Sequence, residues 1–137
     1  SWLILDVEIE AGNQADAERY LPMLERHNDH YGQAPRHKSA DGGYASTENL
    51  HESKALEVKD VVNHNKRALK VEEMAKSPWV YRKLRNFRAG IEAGISCMKR
   101  AYGLGRCTWK GLKHFKAYVW SSVVAHNLAL FGRLLST

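Results

Sequence analysis

The sequence predicts an α/β domain with helices packed on a sheet. Three observations carry that expectation. Residues 2–10 alternate, with Leu3, Leu5, Val7 and Ile9 set against Ile4, Asp6, Glu8 and Glu10, which is the period of a half-buried strand. Between Trp79 and Tyr102, Leu84, Phe87, Ile91, Ile95 and Met98 are spaced 3, 4, 4 and 3 apart, the period of an amphipathic helix. The whole chain then reads in the order β-α-β-α-β-α-α, which suits helices on a sheet.

Each element has its own signals. Ala11-Gly12-Asn13 ends the first strand. Asp16 is a fitting N-cap for a helix running to about Tyr31, with Ala17, Tyr20 and Leu24 on one face. Pro22 inside that span predicts a kink or a restart. Gly32 to Pro35 reads as a turn, and His37 to Ala40 as a short strand that runs into Asp41-Gly42-Gly43-Tyr44. Ser46 or Thr47 can cap a helix from Glu48 to about Glu57, and Val58 to Val62 reads as the next strand. Residues 63–78 are basic and irregular, with a short helix at Val71–Lys76. Pro78 opens the long helix, Gly103 to Gly111 forms a basic loop, and a last helix spans Leu112 to Leu135. Its stretch Ala117–Leu135 is the least polar in the chain. Ser121, Ser122, His126, Asn127 and Arg133 interrupt it, so it reads as a buried core helix rather than a membrane span.

Composition fits one domain or part of one: 137 residues, 44% hydrophobic and 26% charged, which excludes disordered and disulfide-rich classes. The net charge of +6 is unevenly spread. Residues 1–63 carry 6 basic and 12 acidic side chains, whereas residues 64–116 carry 14 basic and 3 acidic ones. A basic middle of that strength suits a phosphate-bearing partner; a solvated basic face without one is the plain alternative. Cys97 and Cys107 are too few for a disulfide framework and read as reduced thiols of an intracellular protein. The chain starts at Ser1 and enters an apolar run at once, so a missing beginning is expected.

Two carboxylates stand out. Glu92 follows Arg88 by four residues and precedes Lys99 by seven, so at about 100° per residue the three fall within about 40° of one another. They border the apolar stripe, a place suited to a metal or phosphate site; an ordinary helix salt bridge uses the same spacing. Asp41 closes a predicted strand before two glycines, and strand ends in α/β folds collect sites, although an Asp can equally just open a turn. Hard oxygen ligands such as Asp41 and Glu92 suit Mg²⁺. His27 and His30 are three apart on a helix, with His37 nearby, but lack a third ligand in any metal-binding pattern and read as solvent-facing.

The stretch from Phe87 to Leu104, FRAGIEAGISCMKRAYGL, resembles the third-carboxylate helix of DDE transposases from bacterial insertion sequences. That family's motif is Tyr-x2-Arg-x3-Glu-x6-Lys. Arg88, Glu92 and Lys99 match it, and Arg85 stands in the Tyr position. Ala40 to Ser46 is similar to the second-carboxylate motif, Gly12 to Asp16 to the family's G-N-P-x-D turn with Gln14 for Pro, and Ala125 to Leu128 to a C-terminal helix motif.

The resemblance covers the chain in the right order. It implies a ribonuclease H-like fold, incomplete at the N-terminus, with residues 1–137 as the C-terminal part of the catalytic domain. It also implies transposition by cleavage of transposon ends and strand transfer, with Mg²⁺ or Mn²⁺ held by Asp41 and Glu92. Arg88 and Lys99 would position phosphates of transposon-end and target DNA, and Arg85, Arg106 and Lys110, with Trp109, would contact the backbone. The expected setting is the bacterial cytosol near the nucleoid, without a membrane, and the full-length enzyme can act as a homo-oligomer. Asp6 is a poor stand-in for the first carboxylate, because it would face away from a core holding Leu3, Leu5, Val7 and Ile9. The chain is therefore expected to be inactive by itself, a non-catalytic DNA-binding remnant being the alternative. It is also expected to self-associate through an exposed sheet edge and Trp2, Leu3 and Leu5.

Overall fold

A computed structural model describes residues 3–64 and 68–137. It is mixed α/β with a strong helical majority. Helix α1 spans Asp16–Tyr31, strand β1 His37–Ala40, α2 Thr47–Ala55, β2 Asp60–Asn63, α3 Val71–Met74, α4 Pro78–Ala101 and α5 Leu112–Leu135. A 3-10 turn, Gly42–Tyr44, follows β1. The chain divides into two compact units, a core unit of Asn13–Ala89 and a helical unit of Ser1–Gly12 with Gly90–Thr137.

In the core unit β1 and β2 run parallel, with His37 opposite Asp60 and Ala40 opposite Asn63. All four β2 residues are buried, as a strand covered on both faces requires. Around Val61 and Val62 pack Tyr20 and Leu24 of α1, Leu50 of α2, Val58, Met74, Val80 and Tyr81. The α1 stripe thus faces the core as its spacing predicts. The helix continues through Pro22, and Gly32, with φ of 71°, ends it while its N–H donates to the Asn28 carbonyl at 2.8 Å. Ser46 caps α2, its hydroxyl accepting from the Asn49 N–H at 2.9 Å.

β2 begins two residues later than the sequence predicts. Past α2 the Val58 N–H donates to the Ser53 carbonyl and the Glu57 N–H to the Lys54 carbonyl, both at 3.0 Å. These two bonds make a Schellman cap with Glu57 at φ of 67°. The chain therefore still turns at Val58, which is buried without being in the strand. A different correction concerns Asp16, which is the first helical residue, with Ala15 in the cap position.

In the helical unit residues 3–10 form no strand, although their alternation predicts one. Alternation sorts side chains to two faces, but a strand needs a neighbouring strand, and among the described residues β1 pairs with β2 alone. Ile4 instead binds a side chain: its N–H donates to Asn127 Oδ1 at 2.9 Å, and Asn127 Nδ2 donates to its carbonyl at 2.7 Å. Leu5 is exposed, and Trp2 lies outside the described residues. Asp6 turns its carboxylate back to accept from the Val7 N–H at 2.8 Å.

Two further expectations fail here. The stripe read as core on α4 is half open, with Phe87 50%, Ile91 42% and Ile95 41% exposed. The two ends of that stripe are covered: Leu84 packs with Val80 and Tyr81 in the core unit, and Met98 is buried. The last helix is buried on one side only, through Val119, Ser122, Val123 and His126. There Ser122 donates to the Tyr102 carbonyl at 2.8 Å, and the Tyr102 and His126 rings meet edge to face. No described helix is long and apolar enough to cross a membrane.

Candidate functional site

β1 delivers Asp41 to the carboxyl end of the parallel pair, directly after the residue that faces Asn63. Both of its oxygens are engaged. Oδ1 accepts from the Gly42 N–H at 2.6 Å, starting the 3-10 turn, and Oδ2 lies 3.0 Å from Nη2 of Arg88 on α4. Arg88 is 18% exposed and Asp41 54%, so the cation is the fixed partner and the carboxylate the open one. An ion pair this exposed adds little stability, on the order of 1 kcal/mol or less. Its value is geometric, since it holds a carboxylate at a strand end.

The turn after Asp41 is built tightly. A Cβ on Gly43 would stand 2.5 Å from Asp16 Oδ2 and 3.3 Å from Asp16 Cβ, so any larger residue there must displace the Asp16 side chain. Asn49 Nδ2 ties the turn to α1 by donating to the Tyr44 carbonyl at 3.0 Å and the Ala17 carbonyl at 3.1 Å. Burial pushes the Tyr44 phenol above its usual range, and the charges of Asp16 and Asp41 push it further. Gly43→Ala should therefore cost about 1–2 kcal/mol by overpacking. Asp16→Ala on that background should return most of it, since the nearest atom is removed. Urea denaturation of the two single variants and the double one measures the coupling, and additive losses would contradict it.

The other expected site residues are exposed. Arg85 projects from α4, Glu92 lies one turn beyond Arg88 on the same helix, and Lys99 stands near its end. Arg106 and Lys110 flank Trp109, which is 53% exposed, on the loop before α5. That loop is held by its backbone: Tyr118 donates its hydroxyl to the Arg106 carbonyl at 2.8 Å, and His114 Nδ1 lies 2.8 Å from the Lys110 carbonyl. Both cationic side chains are left to solvent. The structure thus brings Asp41 and Arg88 together within the core unit, while Glu92, Lys99, Arg106 and Lys110 belong to the helical unit.

A hard, half-exposed carboxylate such as Asp41 fits the donor chemistry of a divalent cation. Among the described residues, no group of three or more His, Cys, Asp or Glu side chains is gathered to hold one. His27 and His30 pack their rings on Tyr31. Cys97 and Cys107 are free thiols. Sequence reasoning missed the part played by Asp16, Tyr44 and Asn49 in shaping the turn. The paired glycines of Asp41-Gly42-Gly43 were the one available signal, because a residue without Cβ marks a close approach.

No curated protein and no solved structure matches the chain. The family model described as the transposase DDE domain matches residues 1–128, nearly the whole length. With Asp41 at a strand end, paired to Arg88 from the helix that also carries Glu92, this chain belongs to the DDE transposase family.

Proposed function

We propose that residues 1–137 are the C-terminal part of a ribonuclease H-like catalytic domain serving metal-dependent cleavage at transposon ends and strand transfer. Asp41 and Glu92 are the metal-ligating carboxylates of this reading. The observation that carries it is Asp41 fixed at the end of β1 by the Gly42 N–H and Arg88, with Glu92 four residues beyond Arg88 on α4. A bound Mg²⁺ or Mn²⁺ would supply charge neutralisation and an activated oxygen for in-line attack on a phosphodiester. The chain's own residues do the positioning. Arg88 holds the Asp41 carboxylate and, beside a metal held by Asp41, would serve as a contact to a DNA phosphate. Lys99, Arg85, Arg106 and Lys110 meet the DNA backbone through charge, with Trp109 between the last two.

The first carboxylate of the family's set is not assigned to a residue of this chain, so the chain alone is expected to bind DNA without cutting it. The test is incubation with transposon-end duplex and Mg²⁺ or Mn²⁺, read on a sequencing gel. Cleavage that vanishes in Glu92→Ala would overturn the inactive reading while supporting the ligand role. A non-catalytic DNA-binding remnant is favoured instead if added Mg²⁺ or Mn²⁺ leaves duplex affinity unchanged.

Binding itself should fall with salt. Arg106→Ala and Lys110→Ala should each weaken duplex binding at low salt and reduce the slope of log K against log salt by about 1. Fluorescence anisotropy across a salt series measures both effects, and an unchanged slope removes the residue from the interface.

A further inference from the structure

We infer that Asn127 is a positioning residue, whose clamp on the backbone of Ile4 seats α5, and through it the half of α4 carrying Glu92, on residues 3–10. The inference rests on the metal-ligating role proposed for Glu92. Ala125 to Leu128 resembles a family motif that the proposed chemistry leaves without a role. Both ends of the Asn127 amide are spent on one residue: Oδ1 accepts from the Ile4 N–H at 2.9 Å, and Nδ2 donates to the Ile4 carbonyl at 2.7 Å. A neighbouring strand exchanges the same pair of bonds with one residue. Residues 3–10 alternate like a strand but pair with none among the described residues, so the amide takes that place for the half-buried Ile4. A short side chain reaches one residue only, so it also sets the register, and a slip by one would turn every side chain of the segment over.

The residue before Asn127 holds the other neighbour. His126 is buried, and its ring meets that of Tyr102 edge to face with centroids 5.7 Å apart. One turn earlier Ser122 donates to the Tyr102 carbonyl at 2.8 Å. Tyr102 directly follows α4, and its N–H donates back to the Met98 carbonyl at 3.1 Å. Successive residues of a helix point about 100° apart, so His126 and Asn127 can serve two neighbours at once. Together they bracket the end of α4 to residues 3–10. Glu92 lies in the part of α4 that shares the helical unit with α5 and that segment. The core unit, Asn13–Ala89, is inserted between the two stretches that the bracket joins, so side chains must hold them where chain continuity does not.

The experiment has two arms. In the 137-residue chain, hydrogen exchange read by mass spectrometry should speed up about 10-fold over residues 3–10 in Asn127→Ala and in Asn127→Asp, with α1 unchanged as the sign of an intact fold. Asn127→Asp is the sharper variant, since it keeps the shape and one acceptor but sets a carboxylate oxygen against the Ile4 carbonyl. Exchange unchanged in both variants would overturn the clamp. In the intact transposase, Asn127→Ala should slow single-turnover cleavage at saturating transposon-end duplex by about 10- to 100-fold. Duplex affinity should stay within about 2-fold, because no charge is removed. Asn127→Gln keeps both amide groups and should recover part of the rate. Full cleavage in Asn127→Ala, beside a dead Glu92→Ala, would overturn the positioning role alone. Cleavage kept by Glu92→Ala would overturn the metal reading and the positioning role with it.

Discussion

Asp60→Ala is expected to cost about 3 kcal/mol of the core unit's stability, because it strips three groups of one buried partner. Asp60 is 1% exposed at the start of β2. Its Oδ1 accepts from the Lys76 N–H at 2.8 Å, and its Oδ2 lies 2.9 Å from His37 Nδ1 on the facing strand. Lys54 stands near enough to add charge, while its ammonium also donates to the carbonyls of Lys59 and Met74. Removing the carboxylate leaves the Lys76 N–H without its acceptor and the Lys54 ammonium without its counter-charge. Asp60→Asn keeps the volume and one acceptor, and should lose roughly half as much. Urea denaturation followed by circular dichroism checks both, and a loss under about 1 kcal/mol for the Ala variant would deny the clip its role.

The same group sets the acid limit. Burial raises the Asp60 carboxyl, but the Lys76 N–H, His37 and the Lys54 charge together outweigh it and bring the group below its ordinary value. A carboxyl depressed by folding contributes stability that is fully present above its unfolded value of about 3.9 and is lost as pH falls through the folded one. Asp60→Asn should therefore flatten the stability profile below about pH 4. At the alkaline side Lys38 acts in the same sense, through a lowered ammonium rather than a lowered carboxyl. Its ammonium lies 3.5 Å from the centre of the Tyr20 ring, and burial lowers it to about 8. Between about pH 8 and its unfolded value near 10.4, the unfolded chain holds more protons on this group, so its contribution to stability rises with pH.

The second large effect is catalytic. In the intact transposase, Asp41→Ala or Glu92→Ala should lower strand cleavage by about 10³-fold or more, the equivalent of the several kcal/mol that a properly held metal supplies to the transition state. Duplex affinity should change far less, since neither carboxylate attracts phosphate. Arg88→Ala should behave differently from both. It frees Asp41 from its partner and removes a cation, so it should weaken DNA binding and lower cleavage together. Single-turnover cleavage with binding measured in parallel separates these patterns. Glu92→Ala that keeps most of the cleavage rate would remove Glu92 from the metal set.

Much of this was legible from residues alone. Local signals are short-ranged, and they place α1, α2, α4, α5 and β1 close to where the chain forms them. Ser46 caps α2, Pro78 opens α4 and Gly32 closes α1, because a cap satisfies backbone groups within one turn of itself. Motif spacing also marked Asp41 and Glu92, since the order of residues along a helix or at a strand end is written directly in the sequence.

What the sequence could not decide is which element lies against which. Residues 3–10 alternate like a strand, yet the partner of Ile4 is the Asn127 amide more than a hundred residues away. Phe87, Ile91 and Ile95 have core spacing and remain half open, whereas α5 reads as fully buried and keeps one apolar face outside. Periodicity reports that a face is apolar; only tertiary packing determines whether anything covers it. Arg88 shows the same division at the site. Its place four residues before Glu92 belongs to the sequence, and its contact with Asp41 belongs to the fold, because that contact requires β1 and α4 to meet across 47 residues of chain.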